Sequence, residues 1–348
     1  MADTKEGNKT SITGFILLGF GNLHELQILL FLLFLVIYIV TVAGNILFVV
    51  LVVADRHLYI PMYFFLGNLS CLETCYSSTI LPRLLASLLT GDRTISVSGC
   101  LAQFDIFGSL LATECCLLSM MSYDRYLAIC KPLHYAAHMT RRFSFQLAAG
   151  SWLSGSVVNT IAACWLSQLI FCGPSEIDHF LCDYTPLIKL SCSDTSWMVL
   201  VIFLLSLIFI LPPFLLTLTS YVCIIRAVLR IPSSTGREKA FSTCSSHLIV
   251  ITIFYGTLFI VYVLPDTAAL NKVFSISYTV LTPMVNPLIY SLRNKEVKEA
   301  LRKALTVSLR TTIKYASGLI VSKNDSVSQW SKQSLQRWKN PVQIPSSD

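Results

Sequence analysis

Charge is scarce in this chain. Only 13% of its 348 residues are Asp, Glu, Lys or Arg, about half the roughly 25% of an ordinary soluble domain. With 54% hydrophobic residues, it lacks the polar surface of a single water-soluble globule. Disorder is excluded too, because 20 Phe and 14 Tyr bury too well to stay in water. None of the 12 cysteines forms a Cys-x-x-Cys pair, so metal-ligand spacing is missing. No phosphate-cradling glycine loop or activated nucleophile is recognisable, and the chain is not expected to be an enzyme. No internal repeat appears, which argues against a repeat-built transporter. The apolar strip at 15–18 is too short for a signal-peptide core and has no small-residue cleavage pattern after it. The first long apolar stretch is therefore expected to act as an uncleaved signal anchor.

What the chain does have is length of apolar run. About 20 apolar residues, each rising about 1.5 Å, cross about 30 Å of hydrocarbon. No charge lies between Glu25 and Asp55. Further stretches near 60–88, 97–126, 143–170, 197–229, 241–264 and 272–292 bring the number to seven. An all-α membrane protein is predicted. Its parts are an outer N-terminus at 1–25, a seven-helix bundle at 26–292, an amphipathic helix at 293–305, and a mostly disordered tail at 306–348. In the amphipathic segment Val297, Leu301 and Leu305 recur every four residues beside Lys298, Arg302 and Lys303, a pattern that lies on a bilayer surface.

The basic residues give the orientation. Twenty of the 26 Lys and Arg fall on the side of loops 55–57, 125–142 and 226–239 and the tail. Six fall on the other side, and omitting the tail beyond Lys303 still leaves 14 against six. The positive-inside rule then puts the N-terminus outside and the C-terminus in the cytosol. The net +7 resolves into +13 inside, −3 outside and −3 within the spans. It marks topology, with no nucleic acid implied. Asn8 begins a glycosylation sequon on the outer side. Four cysteines, Cys100, Cys172, Cys182 and Cys192, also fall there, where three disulfide pairings are open.

Seven spans suit receptors, channels and transporters alike, so motifs must decide. The third span ends Met121-Ser122-Tyr123-Asp124-Arg125-Tyr126-Leu127-Ala128-Ile129-Cys130. To this are added Gly44-Asn45, Pro61-Met62-Tyr63-Phe64-Phe65-Leu66 and His179-Phe180-Leu181-Cys182-Asp183. Lys239-Ala240-Phe241-Ser242-Thr243-Cys244-Ser245-Ser246-His247-Leu248 and Asn286-Pro287-Leu288-Ile289-Tyr290 complete the set. Together, over about residues 8–305, they resemble the vertebrate olfactory receptors within the rhodopsin-like G-protein-coupled receptors. Tyr255, where most rhodopsin-like receptors carry Trp, and Phe107, where amine receptors carry Asp, point the same way.

The resemblance implies roles. A small, mostly apolar volatile ligand is expected among Phe104, Phe107, Gly108, Leu111 and Ala112 of span three. Ile202, Leu205, Ser206 and Phe209 of span five and Tyr255, Leu258, Phe259 and Tyr262 of span six complete that site. Asp105 falls off this face, toward the outer rim. Arg125 is expected to pair with Asp124 at rest and to release toward a stimulatory, olfactory-type G protein when span six swings outward. Tyr126, Tyr221 and Tyr290 share that switch. Lys239 and His247 are placed at the start of span six. Pro287 is a hinge whose freed carbonyls Asn286 satisfies. Cys100 is implied to pair with Cys182, and Cys172 with Cys192.

Glu73 and Glu114 sit in mid-membrane, where an ionised carboxylate costs roughly 2.5–3.5 kcal/mol on insertion scales. They are read as an inward-facing site for a sodium ion that biases the resting state. The alternative is two protonated acids hydrogen-bonded to Ser and Asn neighbours. No other cofactor is expected. Two rival functions remain at this level: a rhodopsin-like receptor for a non-odorant metabolite, and a channel or transporter that uses the two glutamates.

Overall fold

In this computed structural model residues 13–21, 24–172, 175–263, 268–293 and 296–306 are described. Asn8 and residues 307–348 lie outside them, as do the side chains of Ser206, Lys239, Tyr262 and Tyr290. The chain forms two compact units, Met1–Lys295 and Glu296–Asp348. In the second, residues 296–306 are helical, with Val297 and Ala300 buried and Arg302 and Lys303 exposed.

The first unit contains seven long helical spans among the described residues. In chain order its helices are α1 (Gln27–Ala54), α2 (Pro61–Thr90), α3 (Val97–Cys130) and the short α4 (Pro132–His138). They continue with α5 (Arg141–Leu166), the short α6 (Tyr184–Lys189), α7 (Ser196–Leu229) and α8 (Ser234–Val263). Span seven is broken into α9 (Ala268–Ile276), a π-helical turn at Ser277–Leu281, and α10 (Thr282–Arg293). The break has a local cause. Pro283 has no N–H to return to its own helix, and Thr282 Oγ1 donates instead to the Ser277 carbonyl at 3.0 Å, a wider loop of the π type. Helix starts follow capping rules: Pro61 and Pro132 occupy first-turn positions. Ser96 and Thr140 accept from Gly99 N and Phe143 N at 3.1 and 3.3 Å.

Four helices, α1, α3, α5 and α7, are long and apolar enough to cross a membrane by length and composition. The others carry more polar residues and turn them inward: Glu73, Ser77, His247, Thr279 and Asn286 are all buried. The reverse holds for α1 and α7, whose Ile28, Leu29, Val36, Phe203 and Ile208 are exposed, as lipid-facing side chains must be.

One amendment to the all-α expectation is a three-stranded sheet, order β2-β1-β3. Its strands are β1 (Gly14–Leu17), β2 (Thr94–Ser96) and β3 (Glu176–Ile177). Phe15 pairs with Ile95 antiparallel, and Leu17 with Ile177 parallel. Alternation along β1 turns Phe15 and Leu17 into a core with Cys100, Phe104, Leu166, Cys182 and Leu187. The 15–18 strip is therefore a strand that ties the N-terminus to two loops. Each large apolar side chain fully buried in this cap contributes roughly 1.5–3 kcal/mol if it would otherwise meet water.

Within the bilayer that driving force is absent, and close packing of small residues replaces it. A Cβ on Gly155 of α5 would stand 2.7 Å from the Ser109 carbonyl oxygen and 2.9 Å from Thr113 N of α3. A Cβ on Gly108 of α3 would collide with the side chain of Asn159. Asn159 itself donates to the Phe104 and Asp105 carbonyls at 3.1 and 2.9 Å. Spans three and four are thus locked at backbone distance.

Candidate functional site

The cap covers one end of the bundle. Cys100 is joined to Cys182 and Cys172 to Cys192, with Cα separations of 5.5 and 5.9 Å, the pairs the resemblance implied. Gln103, a residue sequence reasoning passed over, fixes the cap to the spans beneath. Its Oε1 accepts from Cys182 N at 3.0 Å and its Nε2 donates to the Thr79 carbonyl at 3.2 Å. Lys272 of α9 forms an ion pair with Asp178. Next to it His179 is buried, stacked on Phe180 at 4.6 Å, with Nδ1 accepting from Leu181 N.

Burial, and then the Lys272 cation, push the His179 imidazole down from 6.5 to about 4. A histidine held neutral in the fold binds protons more readily when unfolded, so cap stability is complete near pH 7 and falls as pH drops through 6.5 toward 4. At pH 5 the loss is ~2 kcal/mol. Thermal unfolding of the purified protein should therefore drop more between pH 7 and 5 in wild type than in His179→Phe. Equal drops would remove this residue from the pH response.

Below the cap, the expected ligand stripe is divided. Phe104 and Ile202 both pack into the cap core. Phe107 turns to spans two and seven, with its ring 5.1 Å from Tyr76 and 6.3 Å from Tyr278. Gly108 does not face a pocket; it receives Asn159. Leu111, Ala112, Leu205 and Phe209 are half-buried, on the less exposed sides of their helices. Tyr255 commits its hydroxyl to the Cys115 carbonyl at 3.2 Å and packs on Phe214. Leu258 is 7% exposed, but Phe259 is 58% exposed and belongs to the lipid face. Two apolar neighbours on one helix cannot be told apart by hydropathy when lipid and pocket are both apolar. Asp105 accepts from Thr160 Oγ1 at 3.2 Å, off the central face as expected. Tyr76 and Tyr278, both fully buried, went unnoticed because an aromatic in a long apolar run carries no distinguishing signal.

In mid-bundle, spans one, two, three and seven bring polar groups together. Asn45 donates to the Thr41 and Pro283 carbonyls at 3.0 and 3.1 Å. Asn286 donates to Glu73 Oε1, so its amide serves the carboxylate and does not cap the carbonyls freed by Pro287. Pro287 itself packs against Gly44, where a Cβ would lie 3.7 Å from its ring. Glu73 and Glu114 are buried and close enough for their charges to interact. Glu73 Oε2, Glu114 Oε1, Asn45 Oδ1 and Ser77 Oγ are all buried without a hydrogen-bond partner. Such a cluster of unpartnered oxygens is a fit for a hard monovalent cation.

At the far end, Asp124 is buried and accepts from the Tyr135 hydroxyl of α4 at 2.9 Å. It forms no ion pair with Arg125 in this conformation, contrary to the resting pairing expected. The Nε of Arg125 is buried without a partner. Tyr221 instead hydrogen-bonds His247 Nδ1 at 2.8 Å, and Arg125 is near enough for its charge to act on both. His247 is no part of a helix start: α8 begins at Ser234, and His247 lies more than three turns inside it, 1% exposed. The helix extends further because no proline interrupts the chain between Ser234 and His247. Tyr126 stacks near Tyr123.

Clefts open along α5 and between α7 and α8. One, of about 520 Å3, follows a face of α5 from Ser156 to Trp165 and ends at Gln168, just beyond the helix. The other, of about 320 Å3, lies between α7 and the first half of α8. Neither is lined by an expected ligand residue, and the switch residue Tyr221 lines the second.

Known proteins complete the picture. The family model described as "Olfactory receptor" matches residues 34–308. Olfactory receptor 11A1 of Homo sapiens is 49% identical over 310 residues, covering 88% of this chain and 98% of that protein. Olfactory receptor 10C1 of Homo sapiens is 50% identical over 301 residues, covering 86% and 96%. Olfactory receptor 5AP2 of Mus musculus is 48% identical over 301 residues, covering 86% and 94%. In fold, squid rhodopsin superposes with a TM-score of 0.63 over 78% of each chain, at 16% identity.

Proposed function

This chain belongs to the olfactory receptor family of rhodopsin-like G-protein-coupled receptors, and on that premise we propose that it detects a small, mostly apolar volatile molecule. The family is one of multi-pass membrane receptors and not an enzyme class. The ligand is taken between the cap and the mid-bundle carboxylates, and the response is nucleotide exchange on a stimulatory, olfactory-type G protein that raises cAMP. The capped end faces outward, in keeping with the basic excess of the opposite loops. Support for an apolar ligand comes from the side chains packed there: Phe107, Tyr76, Tyr278 and Leu258 present rings and alkyl surface. On span three, Asp105 is engaged with Thr160 and turned off this face.

The observation that carries the signalling half is the Tyr221–His247 bond beside the unpartnered Nε of Arg125. Outward movement of span six would part that pair and release the Tyr221 hydroxyl to Arg125, a two-state element of the kind a switch requires. Glu73 and Glu114, with Asn45, would hold a sodium ion in the resting state. That ion would offset the paired carboxylate charge and bind three spans together.

A cAMP reporter screen with an odorant panel tests the reading. A ligand-dependent signal is expected in wild type and should disappear in Arg125→Ala at equal surface expression. A signal that survives this substitution removes the switch, and an ion flux that needs Glu114 and no G protein removes the receptor reading.

A further inference from the structure

The cleft between α7 and α8, about 320 Å3, is at the lower end of the roughly 300–1,000 Å3 of small-molecule sites. Its floor is apolar, with Ile224 and Val228 buried. Its mouth opens away from the bundle, because Leu229 and Phe241 line it while remaining 64% and 56% exposed. Arg237 and Glu238 both stand exposed at the rim. Between residues 226 and 239 there are four basic residues and one acid, Glu238. A water-borne anion would leave the apolar slot unfilled, and a neutral hydrocarbon would leave Arg237 and the basic excess of the flanking segment unanswered. An amphiphile with an alkyl chain and an anionic head answers both, as basic pockets between transmembrane helices do.

We propose that this cleft binds an anionic phospholipid, with one acyl chain between α7 and α8 and its phosphate on Arg237. The assignment to the inner leaflet rests on the orientation proposed above; the site itself does not. Tyr221 lines the same cleft and holds His247. A lipid seated there touches the pair that the proposed movement of α8 must separate, so occupancy favours one position of span six.

The test uses the full-length receptor in nanodiscs that mix phosphatidylcholine with phosphatidylserine, with retained lipid counted by native mass spectrometry. Both leaflets of a nanodisc are alike, so the outcome is independent of orientation, which protease protection in cell membranes measures separately. Wild type is expected to retain phosphatidylserine over phosphatidylcholine by about 5-fold, the factor given by a single cation at a membrane surface. Arg237→Gln should lose the preference. Ser245→Trp fills the cleft without changing charge and should lose the lipid itself, with unfolding temperature in pure phosphatidylcholine showing that each variant folds. Equal retention of the two lipids by wild type overturns the proposal, as does undiminished retention by a folded Ser245→Trp. A peptide from the C-terminus of a G-protein α-subunit that binds wild type but not Ser245→Trp, with no lipid preference in either, assigns the cleft to the G protein and also overturns it.

Discussion

Gly155→Val is expected to leave little or no folded receptor. The added Cβ would lie 2.7 Å from the Ser109 carbonyl oxygen and 2.9 Å from the Thr113 amide nitrogen, both backbone atoms of a neighbouring helix that no rotamer change can move. Relief requires α3 and α5 to separate, and Asn159 then loses its bonds to the Phe104 and Asp105 carbonyls. Overpacking typically costs about 1–3 kcal/mol, and the two charge-free bonds add roughly 0.5–1.5 kcal/mol each. Gly155→Ala carries the same first atom and should already lower the unfolding temperature. Gly150 lies on the same helix with open space around its Cβ position. Gly150→Ala should be neutral or gain about 1 kcal/mol from helix propensity. If size-exclusion profiles and melting curves of the two alanine variants coincide, the close approach of spans three and four is not a source of stability.

Cys100→Ser is expected to have the second largest effect. The bridge to Cys182 closes 82 residues, for which chain entropy alone gives roughly 4–5 kcal/mol. The same two half-cystines are fully buried in the cap core beside Phe15, Leu17 and Phe104, so their loss also loosens the sheet. Losses of even about 1–2 kcal/mol change cellular abundance several-fold, and the folded yield should fall by more than that. Cys172→Ser opens a 20-residue loop and should cost less, ~3 kcal/mol on the same estimate. Cys164 is free and exposed, and Cys164→Ser should leave yield unchanged. A Cys100→Ser protein with wild-type yield and melting would show that the cap stands on its apolar core alone.

Both expectations turn on contacts that only the folded chain displays, although the residues involved are plain in the sequence. Glycine in an apolar stretch announces close approach without saying to what. Gly108, assigned to the ligand face by the resemblance, meets Asn159 of the next span. Phe259 shares the apolar character of Leu258 about a quarter of a turn away in angle, yet one faces lipid and the other the bundle. His247, grouped with a basic helix start, lies buried against Tyr221. Asn286, placed to cap the carbonyls behind Pro287, serves Glu73 on another span. In each case helical spacing fixes a direction around one axis, and the neighbour that fills that direction is set by how seven axes pack.

The sequence by itself determined the solvent, the seven helices and the family. Those follow from runs of apolar residues, scarcity of charge and motifs that are continuous along the chain. It also singled out Glu73, Glu114 and Arg125, because an ionisable group inside an apolar run stands out without any partner being known. The tertiary structure alone decided the cap sheet, the lock between spans three and four, and the partners of the buried polar groups. Strand β1 pairs with residues about 80 and 160 positions away, and Glu73 finds Asn286 across the bundle. Contacts at such separation depend on the register and rotation of whole helices, which local composition and periodicity do not encode.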